Sequence, residues 1–381
     1  MKGARRLAAP WWKWWWHWRW VAVALLAAGV LAALWVLVVA PLRNPNRLRL
    51  GPQRHVVTSI PILGVHTRLT DEVEQAKIQR TLEMVRQMGA AWDVEYFPWN
   101  YVQRDSPTEW DWAHTDLVID HAQRQGLKVI ARLDAVPRWA RPKNTADTYL
   151  DPSHYVDYAR YVAAFVQRYR GKIVACVIWN EPNLAYEWGY RQPDPAAYAQ
   201  LLKLSYAAAK QANPQVQVLA APLAPTTEQS PAALEDTIYL QRLYAAGAAP
   251  FFDGLAAHSY GWQNPPDQAA AVGVVNFQRV TLLRQVMVAN GDAAKQVYVT
   301  ETGWNDFPRW IRAVSPAEQV TYSVRAVQLA ERWPWLAALC FWEFRLPNVT
   351  HTYNDSWSLV RTDFSPTPLY LALQRLAKPG G

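Results

Sequence analysis

Residues 172–180, KIVACVIWN, form a short and almost continuous apolar run, and a longer amphipathic stretch follows at 195–212. The apolar run is typical of a buried strand, and the later stretch has the three- and four-residue spacing of a helix. Two parallel strands need a crossover connection, which a helix commonly supplies. These two segments therefore predict one strand–helix unit.

The same unit recurs on both sides of this stretch. The other predicted strands are 60–66, 90–98, 127–134, 216–222, 252–260, 296–301 and 336–344. The predicted helices are 71–88, 113–125, 153–169, 195–212, 232–246, 274–289, 315–332 and 366–377. Eight consecutive units predict an α/β protein with a closed (β/α)8 TIM barrel. An open doubly wound sheet is the alternative, but the sequence GVHTRLTDEVEQ after the first predicted strand lacks a glycine-rich nucleotide-binding turn.

A segment of different composition precedes the predicted barrel. Residues 21–40 contain no charged side chain and are long enough to cross a bilayer as one transmembrane signal-anchor helix. The Trp-rich, basic segment 1–20 contains WWKWWWHWRW, which would lie in the cytoplasmic headgroup layer. Residues 41–56 would be a linker and 57–381 the barrel. A cleaved signal peptide is the alternative, although Pro41 after Ala40 makes a poor cleavage position.

The formal net charge of +8 does not indicate a nucleic-acid partner. Much of the basic excess flanks the apolar segment, as expected beside a membrane, and the rest of the chain is close to charge-balanced. The weak bias of cations toward the N-terminal side favours a cytoplasmic N-terminus. The sequence thus predicts a single-pass protein of the cell membrane whose barrel lies outside the cytoplasm.

The cysteine content points to neither a metal site nor a cofactor. Cys176 and Cys340 lie in the apolar runs IVACVIW and LAALCFW, which favours buried thiols, with a disulfide as the alternative. No Cys/His cluster has the spacing of metal ligands. We expect no metal and no cofactor.

Two glutamates lie at the ends of predicted strands. VIWNEPN at 177–183 places Glu181 after the fourth strand, and VYVTETGW at 297–304 places Glu301 at the end of the seventh. Functional residues of barrels lie at the carboxyl ends of the strands. Glycosidic cleavage needs two carboxyl groups across a cleft, one protonated and one ionised. The sequence therefore predicts a glycosidase site.

The strings WNEPN, His258-Ser259-Tyr260 and TETGW resemble the clan A retaining (β/α)8 glycoside hydrolases. They are most similar to the family 39 branch, which includes β-xylosidases and endo-acting exopolysaccharide hydrolases. The resemblance spans roughly residues 60–375. It implies that Glu181 is the catalytic acid/base and Glu301 the nucleophile.

The resemblance also implies substrate contacts. Asn180 would bond the sugar 2-hydroxyl, and Trp342 would form a platform under the sugar. Tyr260 would orient Glu301, while His258 and His66 would line the same pocket. Four further tryptophans are candidates for a subsite, and we include the last of them among the substrate-binding residues: Trp139, Trp188, Trp262 and Trp304.

One position departs from the family pattern. Clan members carry an Arg on strand 2 that supports the nucleophile, but the expected position here is near Val94, and Arg132 is the candidate substitute. Glu343 should point away from Trp342 and be structural. Asp134 would bind substrate or cap a helix. The segments 144–155 and 261–266 are the expected specificity loops.

Several functions remain open at this point. Hydrolysis of a β-linked oligo- or polysaccharide by double displacement is the leading hypothesis. The alternatives are a glycan-binding pseudoenzyme, a structural subunit of a membrane assembly, and glycosyl transfer to an acceptor sugar on the same residues.

Overall fold

The computed structural model describes residues 12–35 and 51–378. The chain divides into two compact units, Met1–Gly51 and Pro52–Gly381. The first contains helix α1, Trp12–Leu34. None of the helices within the described ranges is long and apolar enough to cross a membrane. Residues 36–40 of the predicted span and 41–50 of the predicted linker lie outside the described residues, so the signal anchor stays a prediction.

The second unit is a closed barrel of eight strands in the order β1 to β8. Each strand is parallel to its neighbours, and β8 pairs with β1 through Gly64 and Cys340. The strands are β1 Leu63–His66, β2 Trp92–Pro98, β3 Lys128–Asp134, β4 Ile173–Ile178, β5 Gln217–Ala220, β6 Gly254–Tyr260, β7 Gln296–Gly303 and β8 Leu336–Phe341. The predicted (β/α)8 barrel is therefore confirmed, and the open sheet is not formed.

Helices follow the strands and surround the barrel. They are α2 Gln75–Met88, α3 Trp99–Val102, α4 Ala113–Gln125, α5 Tyr155–Arg168, α6 Pro195–Ala212, α7 Asp236–Ala245, α8 Val280–Ala289, α9 Pro316–Ala330 and α10 Pro368–Ala377. The Ser315 side chain accepts from the Glu318 amide, and Glu318 bonds back to the Ser315 amide, which forms a capping box at the start of α9. The Asp194 side chain accepts hydrogen bonds from the Ala196 and Ala197 amides and so caps α6, which begins at Pro195.

The interior of the barrel is packed with apolar side chains over the lower part of the strands. Its members include Trp92, Val94, Ile130, Ala175, Val177, Leu219, Ala256, Tyr298, Ala338 and Cys340. A second, larger cluster fills the space between strands and helices and includes Cys176. Both cysteines are buried and free, as the apolar runs predicted.

The alternation of side chains along each strand sets what lies above this apolar layer. Residues two positions apart point to the same face of a strand. The inward positions that follow Ile130, Ala256 and Cys340 are therefore Arg132, His258 and Trp342. The upper interior of the barrel is thus polar and aromatic.

Strand β7 contains a β-bulge at Thr300. Ala257 of β6 pairs with Val299, but the next residue, His258, pairs with Glu301. Thr300 is the extra residue, and a bulge of this kind re-aims the side chains that follow it. Tyr298 points inward, so without the bulge Thr300 would face inward and Glu301 outward. The bulge therefore turns Glu301 toward the barrel axis.

Candidate active site

Glu181 reaches the site through an irregular backbone at the end of β4. Trp179 and Glu181 have positive φ angles of 76° and 36°, a region that non-glycine residues rarely occupy. The Trp179 amide donates to the Leu133 carbonyl at 3.1 Å and the Glu181 amide to the Pro222 carbonyl at 3.0 Å. Neighbouring strands thus hold an unfavourable conformation in place, as is common at functional sites.

His258 lies between the two glutamates. Its Nδ1 is 2.6 Å from Glu181 Oε1, and its Nε2 is 3.5 Å from Glu301 Oε1. One imidazole ring therefore contacts both carboxyl groups. Burial lowers the pKa of His258 to about 4, so the ring is neutral at physiological pH. A neutral ring can donate from one nitrogen and accept at the other.

Glu301 is surrounded by donors. The Tyr260 hydroxyl donates to Glu301 Oε2 at 2.6 Å, and Arg132 Nη1 donates to Oε1 at 3.3 Å. His66 Nε2 lies 3.9 Å from the same oxygen. Burial raises the pKa of Glu301, while the neighbouring His258, the Arg132 cation and the Tyr260 hydroxyl oppose that rise. These contacts stabilise the ionised carboxylate.

Glu181 has a different environment. Its side chain is 13% exposed and that of Glu301 is 9% exposed, so both are largely removed from water. Burial raises the pKa of Glu181 to about 7, and among the groups near it only the more distant charge of Arg132 opposes the rise. The site therefore holds one carboxyl that favours its proton and one that is held by a cation and a hydroxyl.

Arg132 places a cation beside Glu301, as the sequence analysis expected of a substitute for the strand-2 arginine. It lies on β3, opposite Tyr96 of β2, and its guanidinium stacks 4.5 Å from the centre of the Tyr96 ring. Its Nε is 3.3 Å from Asp134 Oδ2. Asp134 is therefore part of an ion-pair network beside Glu301, and it does not cap the nearest helical turn, whose N-cap position is Pro137.

Trp342 forms a half-buried aromatic surface after β8. The His66 ring meets it edge-on with 4.8 Å between ring centres, and the Arg68 guanidinium lies 5.7 Å from its centre. Glu343 is buried, and its Oε2 lies 3.7 Å from Nη1 of the same Arg68. Because Arg68 lies close to both residues, the opposite orientation of Glu343 stays a prediction, whereas Trp342 is close to the other site residues.

Asn180 is buried and contacts a third glutamate that the sequence analysis did not select. Its amide lies close enough to Glu187 to lower the pKa of that carboxyl, and its Oδ1 has no hydrogen-bond partner among the described residues. Burial, followed by the charges of Glu181 and Asp134, raises the pKa of Glu187 to about 8. Tyr186, half-exposed, lies beside it, and burial and the charge of Glu181 raise the pKa of its hydroxyl. Neither residue is on a strand, so no periodic pattern indicates them.

An aromatic wall stands beside Tyr260, on the loops after β6, β7 and β8. The Tyr260 ring lies 5.6 Å from Trp262 and 5.1 Å from Trp357. Trp310 stacks on Tyr353 at 5.3 Å and meets Trp262 edge-on at 5.2 Å. Of the four candidate subsite tryptophans, Trp262 is therefore the one beside Tyr260, whose hydroxyl donates to Glu301.

The remaining candidate tryptophans pack elsewhere. Trp304 is 1% exposed, and its Nε1 donates to the Asn264 carbonyl at 2.9 Å. A Cβ atom at Gly261 would lie 2.0 Å from the Trp304 ring, so the ring supports the 261–266 loop from below. Trp188 is also fully buried, and the Trp139 indole donates to the Gln103 carbonyl. The structure does not bring Trp304 to the glutamates.

A separate cavity of about 340 Å³ lies between α9 and the loops after β7 and β8. Its lining includes Gln319, Asp355, Ser358 and Arg361. It contains neither Glu181 nor Glu301, so the chemistry described above does not involve it.

Similarity to solved structures is consistent with this geometry. A family 39 glycoside hydrolase from Bacteroides cellulosilyticus WH2 superimposes with a TM-score of 0.67 at 21% identity, over 83% of this chain and 63% of that chain. A monomeric β-xylosidase from Caulobacter crescentus CB15 gives 0.60 at 18% identity, over 85% of this chain and 69% of that chain. A GH5_18 protein from Streptomyces cattleya, solved with GlcNAc, gives 0.62 at 14% identity, over 86% and 80%.

The likeness lies in the fold rather than in close sequence. No family model matches the sequence, and no curated protein matches it. The chain spans less than two thirds of the length of the Bacteroides protein. The second unit of this chain has the (β/α)8 barrel fold of glycoside hydrolases of families 39 and 5.

Proposed function

We propose that this protein is a retaining glycoside hydrolase that cleaves β-glycosidic bonds of an oligo- or polysaccharide. One observation carries the proposal: Glu181 and Glu301 both contact the His258 ring, yet one carboxyl favours its proton and the other faces a cation. Double displacement needs this difference between two nearby carboxyl groups. The fold shared with known glycoside hydrolases supports the same reaction class.

In the first step Glu301 attacks the anomeric carbon. A bond forms between its carboxylate oxygen and C1, and the bond from C1 to the leaving oxygen breaks. Glu181 gives its proton to that oxygen, so the departing sugar leaves as a neutral alcohol. Arg132 and Tyr260 keep Glu301 ionised and oriented for the attack.

In the second step the ionised Glu181 takes a proton from water, and the water oxygen attacks C1. The bond between C1 and Glu301 breaks, and the sugar is released with its original configuration. Glu181 is protonated again and Glu301 is again a carboxylate. The pKa of about 7 suits Glu181 to both roles near neutral pH.

The neutral His258 ring fits this distribution of protons. If Nδ1 accepts from the protonated Glu181, the ring proton is on Nε2, which faces the Glu301 carboxylate. In the opposite tautomer the ring proton would be on Nδ1, so it and the Glu181 proton would both lie between Nδ1 and Glu181. The lone pair of Nε2 would then face the negative charge of the Glu301 carboxylate. We assign the first tautomer on this ground.

Asn180 and Trp342 are the proposed contacts of the sugar at the cleavage point. The unpartnered Oδ1 of Asn180 is an acceptor for a sugar hydroxyl. The half-buried indole of Trp342 offers an apolar face for the C–H side of the ring. His66, which has an unpartnered Nε2, would contact the outer hydroxyls of that sugar.

We also propose that residues 21–40 attach the barrel to the outer face of the cell membrane. The support is the uncharged stretch in the sequence and the exposed apolar side chains Leu25, Leu26 and Leu31 of α1. Separation of membrane and soluble cell fractions, with the full chain and with a chain lacking residues 1–40, tests this part. Equal recovery of both chains in the soluble fraction would contradict it.

The decisive experiment uses Glu301→Ala in the full chain with aryl β-glycosides. We expect turnover by the parent, loss of turnover in the variant, and partial recovery with azide as an α-glycosyl azide. Recovery with that inverted product identifies Glu301 as the nucleophile, because azide enters from the face that the carboxylate has vacated. Full activity of Glu301→Ala would refute the proposed mechanism.

A further inference from the structure

Two adjoining depressions lie between the loop after β2 and the loop after β3. One has a volume of about 510 Å³, and Arg104, Arg138 and Arg141 are among its lining residues. The other has a volume of about 560 Å³ and is lined in part by Arg138, Arg141 and Lys143. Because two residues line both depressions, they form one groove, which we name the basic groove after these four cations.

The cations of the basic groove have no carboxylate partner. None of the four takes part in a salt bridge within residues 51–378, whereas Arg160, Arg168 and Lys172 on the outer surface are all paired with aspartates. Arg138 and Lys143 are exposed. Asp105 is the acidic side chain that lines these two depressions, and a third depression beside Arg104, which none of the other three cations lines, adds Glu109 and Asp111.

One of the four cations is held rigidly. Arg141 donates from Nε to the Val136 carbonyl at 3.1 Å and from Nη1 to the Thr145 carbonyl. Both acceptors belong to the same loop, so the guanidinium is fixed before any ligand arrives. A fixed guanidinium loses less side-chain entropy when it binds an anion.

The basic groove lies beyond the carboxyl end of β3, the strand that also carries Arg132 to the glutamate site. This strand carries Arg132, which contacts Glu301, and ends at Asp134. Val136, two residues further, already lines the groove. The Asn100 amide donates to the Ala135 carbonyl at 3.0 Å, which joins the β2 loop to the β3 loop at this point. A sugar chain that extends from the glutamates over β3 would pass through the groove.

We propose that the basic groove binds the carboxylate groups of an acidic polysaccharide, a chain that contains uronate residues. Guanidinium groups bind carboxylates in paired, charge-assisted hydrogen bonds, and a lysine adds a point charge. The rest of the barrel sequence is close to charge-balanced, so the attraction is local to this groove. This inference rests on the proposed function and names the class of its substrate.

The test is a binding measurement with two matched sugars. The probes are the β-1,4-linked hexamer of mannuronate and mannohexaose, which have the same linkage and differ in the carboxylate at C6. Calorimetry is done on the full chain carrying Glu181→Gln, so that neither probe is cleaved. We expect the acidic hexamer to bind at least about tenfold more tightly, the effect of one or two charge-assisted hydrogen bonds.

Matched variants separate the groove from general charge attraction. Arg138→Gln with Lys143→Gln should remove most of the preference for the acidic hexamer and leave the affinity for mannohexaose unchanged. Arg80→Gln with Arg242→Gln, two exposed cations on α2 and α7, should change neither affinity. Equal binding of the two hexamers by the parent, or equal losses in both double variants, would overturn the proposal.

These outcomes are independent of the hydrolysis assay. If aryl glycosides are not cleaved but the acidic hexamer still depends on Arg138 and Lys143, the groove assignment stands and the proposed reaction fails. If aryl glycosides are cleaved and the two hexamers bind equally, the reaction stands and the acidic substrate is refuted.

Discussion

The lower and upper parts of the barrel interior are built on the same eight strands but have opposite chemistry. In the lower part, inward side chains such as Ile130, Leu219 and Ala256 are completely buried and apolar. Two residues further along their strands, the inward side chains Arg132 and His258 are ionisable groups. A step of two residues thus separates a layer that stabilises the fold from a layer that can carry out chemistry.

The apolar layer also shapes the chemistry above it. It forms an apolar floor beneath the glutamates, and burial is the main cause of the raised pKa of Glu181. A carboxyl in bulk water would be ionised at neutral pH and could not protonate a leaving group. The lower layer therefore contributes to function by raising the pKa of Glu181 in the upper layer, without contact with substrate.

The largest expected effect comes from Glu181→Gln in the upper layer. Loss of the proton donor should lower kcat/KM on a natural glycoside by about 10²–10⁴-fold, as for other general acids. The loss should be smaller on an aryl glycoside whose leaving group needs no proton. Steady-state kinetics on both substrates checks this, and an equal loss on the two would contradict the role of acid.

The same variant should not weaken the fold. Because the folded-state pKa of Glu181 is raised to about 7, its contribution to stability is present below the ordinary value near 4.5 and is lost as pH rises through 7. Glutamine does not titrate, so the difference in free energy of unfolding between variant and parent should grow in favour of the variant from pH 5 to pH 8. Urea titrations at the two pH values measure it.

The second effect belongs to the lower layer. Leu219→Ala removes a fully buried side chain from the interior of the barrel and should lower the free energy of unfolding by about 2–5 kcal/mol. The folded fraction should retain most of its kcat, because Leu219 contacts no site residue described above. A variant with unchanged stability and abolished turnover would show that the two layers are not separable in this way.

The smallest effect is a shift of the pH profile in Arg132→Met. The Arg132 cation lowers the pKa of both Glu301 and Glu181. Its removal should therefore move both limbs of the bell-shaped profile of kcat/KM toward higher pH. Arg132→Lys keeps the charge and is the matched control, with limbs close to those of the parent. A fall in activity with unmoved limbs would assign Arg132 a packing role only.

The sequence predicts the strands and the two glutamates because both depend on local pattern. Apolar runs and helical periodicity give all eight units; Glu301 lies near the end of β7, and Glu181 follows β4 by three residues. The sequence indicates Arg132 only as a substitute for the strand-2 arginine. Its partner Glu301 is 169 residues away, and only closure of the barrel brings the two together. The alternation of side chains along β3 also indicates Arg132, because Ile130 points inward and Arg132 lies two residues further along the strand.

The positions of Trp304 and Glu187 depend on tertiary contacts that no local sequence pattern indicates. Trp304 lies three residues after Glu301, yet its ring is buried in the space beside Gly261. Glu187 lies in the short turn Tyr186–Trp188, where no periodicity applies, and only the folded loop brings it to Asn180. No sequence pattern indicates the positive φ angles at Trp179 and Glu181 either.

The bulge at Thr300 reverses which positions of β7 point toward the barrel axis. Upstream of Thr300 the odd positions face away from the barrel axis, and downstream they face it. If β7 paired regularly through Thr300, every side chain of the site would remain in the sequence, but Thr300 would stand where Glu301 now stands. A relative without the bulge would lose catalysis while its sequence still contained both glutamates, so an inspection of motifs alone would record an enzyme where only the scaffold remained.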